Sequence, residues 1–281
     1  MGILLASFKK NIRLEENKHQ TCLIKLPEDF SFLSKTDMVP LGFSELIPVS
    51  LFYPIIFRTL YLDGETELVP FAIISVRGTP FYLNPDGRLK IEALPFLSKI
   101  YPFGLLYEKG EFFVVVEEKS LVKENGFLEH SSSNEKYELL FEKNGEETAF
   151  IQKIKTHLTA FVKDWFLARE FGKELFKAKC LKPVNITAET PFGKVKYKSV
   201  FLGDIEGLQS MQPEKLYYFN VKGYLPVLYA VFLSIRNFDL LKIIAKEIRF
   251  ERSKQESPVL SQPLTQNEKF FLSNAFNPEI S

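Results

Sequence analysis

The stretch AFIQKIKTHLTAFVKDWFLAREFGKELFKAK, residues 149–179, decides the fold. Within it Ile151, Ile154, Leu158, Phe161, Trp165, Ala168, Gly172 and Leu175 follow one another at alternating steps of three and four, the spacing that puts side chains on one stripe of an α-helix. At 1.5 Å per residue such a helix is roughly 45 Å long. Lys153, Lys155, Lys163, Asp164, Glu170 and Lys173 fall off the stripe and read as a solvated face. Gly172 costs a helix about 1 kcal/mol relative to Ala, and is read as the mark of a close crossing by another element.

N-terminal to this helix the period changes to that of short strands broken by turns. Cys22 to Leu26 is a short apolar stretch, Ile55 to Tyr61 and Leu68 to Arg77 are rich in Ile, Val, Leu and Phe, and Phe112 to Val116 is a strand former throughout. Leu62-Asp-Gly-Glu65, Arg77-Gly-Thr-Pro80, Asn84-Pro-Asp-Gly87 and Glu108-Lys-Gly-Glu111 place Gly or Pro where tight turns need them, so the strands are expected to be antiparallel. Two short helices are expected near Phe43 to Leu51 and Glu92 to Ile100, and a long surface loop over 119–147. C-terminal to the long helix, Pro191-Phe-Gly193 reads as the turn of a hairpin formed by Val184 to Ala188 and Val195 to Phe201. Helical segments resume after Pro213 and break at Gly223. The apolar run Tyr224 to Ile235 reads as a core helix, being too short, at twelve residues, to span a bilayer.

The fold class is therefore α+β: an antiparallel sheet-rich N-terminal half, a long amphipathic helix and a helical C-terminal region in one compact unit, 1–250. Residues 251–281 read as a flexible tail rich in Ser, Gln and Pro, with an aromatic cluster at Phe270, Phe271, Leu272 and Phe276 that could dock on a partner or on its own domain. The balance of 36 Lys plus Arg against 35 Asp plus Glu gives no global case for nucleic acid. Two cysteines, Cys22 and Cys180, cannot build a disulfide framework and read as buried thiols of a cytoplasmic protein. The N-terminus has no charge ahead of its short apolar run and is not read as an export signal. The 28 Phe and 11 Tyr against one Trp point to a Phe-packed core.

Several segments together resemble the SapC family: Met38-Val-Pro-Leu41, Tyr53-Pro-Ile-Ile-Phe57, Pro70-Phe-Ala-Ile-Ile74, Phe81-Tyr-Leu-Asn-Pro-Asp-Gly-Arg88, Tyr101-Pro-Phe103, Leu140-Phe-Glu-Lys-Asn-Gly145 and Leu225 to Asn237. Order and spacing are kept over roughly residues 36 to 245. The resemblance implies an inherited link to the production or export of a bacterial surface-array protein. It supplies no catalytic motif to carry over, and Leu89 stands where many relatives are expected to have an aromatic.

Chemistry is sparse. His19, His130 and His157 lie at no metal-ligand spacing from one another or from a cysteine, so no metal and no cofactor is expected. There is no nucleophile elbow and no glycine-rich phosphate loop. Glu117-Glu118 and Asp204 with Glu206 are the best carboxylate clusters and read as solvated. Arg77 and Arg88 bracket the hairpin Thr79 to Gly87 and form a candidate anion-binding rim. The leading expectation is a non-enzymatic accessory or interaction protein with a protein partner. The alternative is an enzyme, or a degenerate relative of one, with a pocket between the sheet and the long helix. A deep pocket with converging polar groups favours the enzyme, an exposed apolar patch the interaction protein.

Overall fold

The turn Asp63-Gly64 has φ of 49° and 90°, the left-handed pair that a two-residue type I′ hairpin turn requires. It joins β5 (Ile55–Leu62) to β6 (Glu65–Ile73), whose register runs from Leu62↔Glu65 to Ile55↔Ala72. This hairpin lies in a five-stranded antiparallel sheet ordered β13-β14-β5-β6-β4, with β4 (Met38–Pro40) on one edge. The other side is the hairpin of β13 (Leu181–Thr190) and β14 (Gly193–Gly203). Lys109-Gly110 repeats the device, with φ of 53° and 85°, between β9 (Phe103–Glu108) and β10 (Glu111–Glu117). Together with β1 (Ile3–Leu5) and β2 (Asn11–Arg13) these make a four-stranded sheet ordered β1-β9-β10-β2. Arg77-Gly78, at 50° and 74°, joins the two-residue strands β7 (Ser75–Val76) and β8 (Thr79–Pro80). The α+β class and the antiparallel pairing are as the sequence indicated.

This structure is a computed structural model that describes residues 3–240, apart from 85, 92, 124–135 and 191–192, together with 243 and 246. The chain divides into two units, Met1–Ala245 and Lys246–Ser281, and the elements named above all belong to the first. The expected tail 251–281 and its Phe270, Phe271, Leu272 and Phe276, like His130, lie outside the described residues.

The expectation of a surface loop over 119–147 needs correction at both ends. β11 (Leu121–Lys123) and β12 (Tyr137–Leu139) flank β3 (Cys22–Lys25) in a third antiparallel sheet. Leu140 and Phe141 are buried beside Ile24 and Ile151. Strands of three residues carry too little alternation to stand out from a loop in the sequence.

The helices are α1 (Glu16–His19), α2 (Leu46–Ser50), α3 (Phe96–Lys99), α4 (Ala149–Lys177), α5 (Ile205–Gln209), α6 (Pro213–Val221) and α7 (Tyr224–Ser234). Thr148 caps α4, its Oγ1 accepting from the Ile151 N–H at 3.4 Å. Every member of the stripe from Ile151 to Leu175 is buried except Ile154, which is half-buried. The helix lies against β6, and a Cβ on Gly172 would overlap the Leu68 carbonyl oxygen, so the glycine is the crossing point. One turn away Arg169 donates Nε–H and Nη2–H to the two Glu67 oxygens at 2.6 and 2.8 Å. Its guanidinium lies 5.0 Å from the ring centroids of both Trp165 and Phe166. Cys22 and Cys180 are free and buried, and burial pushes the Cys180 thiol up to about 11, which leaves it protonated and unreactive.

Candidate functional site

Helix α7 carries two apolar stripes. Tyr224, Val227, Leu228, Val231 and Ser234 face inward and are buried, packed with α2 and with the aromatic group of Phe43, Phe171 and Phe219 around Tyr224. Ser234 Oγ accepts from the Ile55 N–H at 3.0 Å and donates to the Val231 carbonyl at 2.7 Å, which ties the end of the helix to the sheet. The second is an outer row of Pro226, Tyr229 and Leu233 at steps of three and four, all exposed; past the end of α7 at Ser234, beyond the turn that starts at residue 235, the exposed residues Arg236 and Leu240 follow. Leu233 is 69% exposed. On α6, Tyr217 and Val221 sit one turn apart at 71% and 66% exposure. The expectation that the run 224–235 is a core helix is thus half corrected: a helix apolar all round buries the face that finds packing partners and leaves the other to water. Among the described residues no single helix is long and apolar enough to cross a membrane; α6 and residues 224–240 pass that test only together, and are bent by 94° at Gly223, whose φ is 69°.

A cleft of about 420 Å³ opens between α2, the segment Ala93–Lys99 and the middle of α4. Its polar end is built by the loop Gly42-Phe-Ser-Glu45. Glu45 accepts from the Gly42 N–H at 2.9 Å and the Phe96 N–H at 2.5 Å. Asp164 of α4 accepts from Ser44 Oγ at 2.8 Å and from the Ser44 N–H at 3.0 Å, and its carbonyl accepts from the Phe43 N–H at 3.1 Å. A Cβ on Gly42 would overlap the Asp164 carboxylate, so the glycine admits that side chain. Burial first, and the Asp164 charge in addition, raise the Glu45 carboxyl to about 7, while its two backbone donors and Lys99 pull the other way. His157 and Lys99 stand exposed on the cleft wall.

A second hollow of about 490 Å³ contains Lys35, Tyr101 and Glu117. Glu117 is buried, which corrects its reading as a solvated carboxylate: Lys35 Nζ donates to both oxygens at 3.0 and 2.9 Å, and Tyr101 O–H donates to one of them. Phe32 stacks on Tyr101 with centroids 3.9 Å apart. Burial and the Glu117 charge raise the Tyr101 phenol, so it remains a donor. Asp204 is paired with Lys182 at 3.0 Å, and Glu206 is exposed.

The two candidate anion-binding arginines stand on separate turns. Arg77 is exposed at the β7–β8 turn, and Arg88 is exposed with its Nε 3.7 Å from Asp86. Sequence reasoning missed Glu45 and Asp164 because Ser44 and Asp164 are 120 positions apart. The one local signal was the Gly-Phe-Ser-Glu turn ahead of a short helix. Among the described residues no three His, Cys, Asp or Glu side chains are grouped to hold a metal ion.

In comparisons with known proteins, the model of the SapC family matches residues 14–241, a span that holds the cleft, the second hollow and both stripes of α7. No curated protein and no solved structure matches the chain.

Proposed function

Since this chain belongs to the SapC family, we propose that it is a non-enzymatic accessory protein of bacterial surface-layer production or export, acting in the cytoplasm by docking a helix of a protein partner. The observation that carries the docking is the outer stripe of α7. Alternating steps of three and four on an exposed helix make a narrow seam into which a partner helix fits its own side chains. Lys222 ahead of α7 and Asp239 beyond its end are exposed as well, and charges of both signs around the row suit a protein helix rather than a broad lipid surface. The surface-layer link rests on the family name and the cytoplasmic placement on the two free buried thiols. A catalytic reading has to rest on the cleft, where the Glu45 and Asp164 carboxylates are already engaged in holding the loop 42–45.

Photo-cross-linking in a native host tests the reading, with benzoylphenylalanine replacing Arg236 in the full chain. The expected result is one protein adduct whose cross-linked peptide is helical, lost when Tyr229 and Leu233 are both changed to Ser. Adducts to lipid alone, to a second copy of this chain, or an adduct indifferent to those changes would overturn it.

A further inference from the structure

The cleft between α2, α3 and α4 has features that holding a loop does not require. Its volume of about 420 Å³ falls within the range of small-molecule sites. Pro48, Val49, Leu94, Phe96 and Phe161 line it, and the rings of Phe96 and Phe161 stack at 5.4 Å. An ionised carboxylate has about four lone-pair positions, and Glu45 and Asp164, which both line the cleft, are each engaged by two donor groups of the chain, so both keep acceptor capacity. An ammonium group with its three N–H donors uses that capacity, and its attached hydrocarbon lies against the aromatic wall. A carboxylate ligand would be repelled there, and a hydrocarbon would leave that acceptor capacity unused.

We propose that this cleft binds a small organic cation, a primary amine carried on an apolar or aromatic body, with the ammonium on Asp164 and Glu45. The groups that face Glu45 are Asp164 and His157 on α4 and Lys99 on α3. Lys99 and His157 are exposed and free to turn to solvent, while the two carboxylates are fixed by their backbone donors. Because Glu45 titrates near 7, affinity for the cation rises as pH increases through neutrality and Glu45 ionises. This site is independent of the α7 seam, and either reading can fail alone.

The test is titration of the full-length protein with phenethylamine, with 3-phenylpropionate as the anionic control, read by amide chemical shifts and calorimetry. Phenethylamine is expected to give saturable shifts at the Ser44 and Phe96 amides, and binding that weakens as pH is lowered through about 7. Asp164→Asn is expected to lower affinity about tenfold. Ala160→Trp, which fills the cleft from an exposed lining position, is expected to abolish binding with the melting temperature unchanged. Should Asp164→Asn unfold the loop, Ala160→Trp decides. No saturable shift in the millimolar range, equal binding of 3-phenylpropionate, or undiminished binding by Ala160→Trp overturns the proposal.

Discussion

Helices α4 and α7 are both rich in apolar residues, yet only α4 satisfies its apolar stripe within the fold. In α4 the stripe from Ile151 to Leu175 meets β6 and the sheets along its length, and its polar side carries structural work too, through Arg169 to Glu67 and Asp164 to Ser44. In α7 the inner stripe is packed on α2 and the sheet, while the outer row of Pro226, Tyr229 and Leu233 faces water. Apolar periodicity states where burial is possible. Whether burial happens depends on which element lies opposite, and the exposed row of α7 is the surface on which the proposed docking rests.

The largest expected effect tests the α4 side of the contrast. Trp165→Ala should cost about 3–5 kcal/mol in a denaturant melt, because Trp165 is fully buried and touches Tyr107, Phe112 and Phe166. A loss below about 1 kcal/mol would mean that the stripe is not the centre of the core. Gly172→Ala comes next. Helix propensity alone predicts a gain of about 1 kcal/mol, but the overlap with the Leu68 carbonyl oxygen should turn it into a net loss of about 1–3 kcal/mol. A stabilised variant would show that α4 and β6 can separate without cost.

The junction of the loop 42–45 with α4 gives a pH signature. The Glu45 carboxyl is raised from 4.5 to about 7 in the folded chain, so between those values the native state holds a proton that the unfolded state has released. Stability from this group is therefore full below about 4.5 and is lost as pH rises through about 7, a change on the order of 3 kcal/mol. Glu45→Gln should flatten that slope in melts taken from acid to neutral pH; an unchanged slope would assign it to another group.

How much of this was legible in the sequence follows from how local each feature is. The α4 stripe and the Asp63-Gly64 and Lys109-Gly110 turns rest on spacing within one element and were readable. The three-residue strands β11 and β12 carry no period of their own and acquire one only by pairing with β3. Glu45 and Asp164 looked like ordinary acids, since their meeting is created by the close approach of the loop 42–45 to α4 that Gly42 permits. The outer stripe of α7 was invisible for the opposite reason: with apolar residues on every side of the helix, the sequence holds no contrast to say which face is buried.

The smallest expected effect on stability is the most informative about function. The claim that the outer stripe of α7 serves binding and not folding is tested most directly by comparing the full-length Tyr229→Ser/Leu233→Ser variant with the wild-type chain. Its denaturant midpoint and its recovery of the partner cross-linked at position 236 are measured side by side. The expected result is a stability change within about 0.5 kcal/mol, as for surface sites, together with loss of the partner. A variant that melts earlier by several kcal/mol while retaining the partner would contradict it.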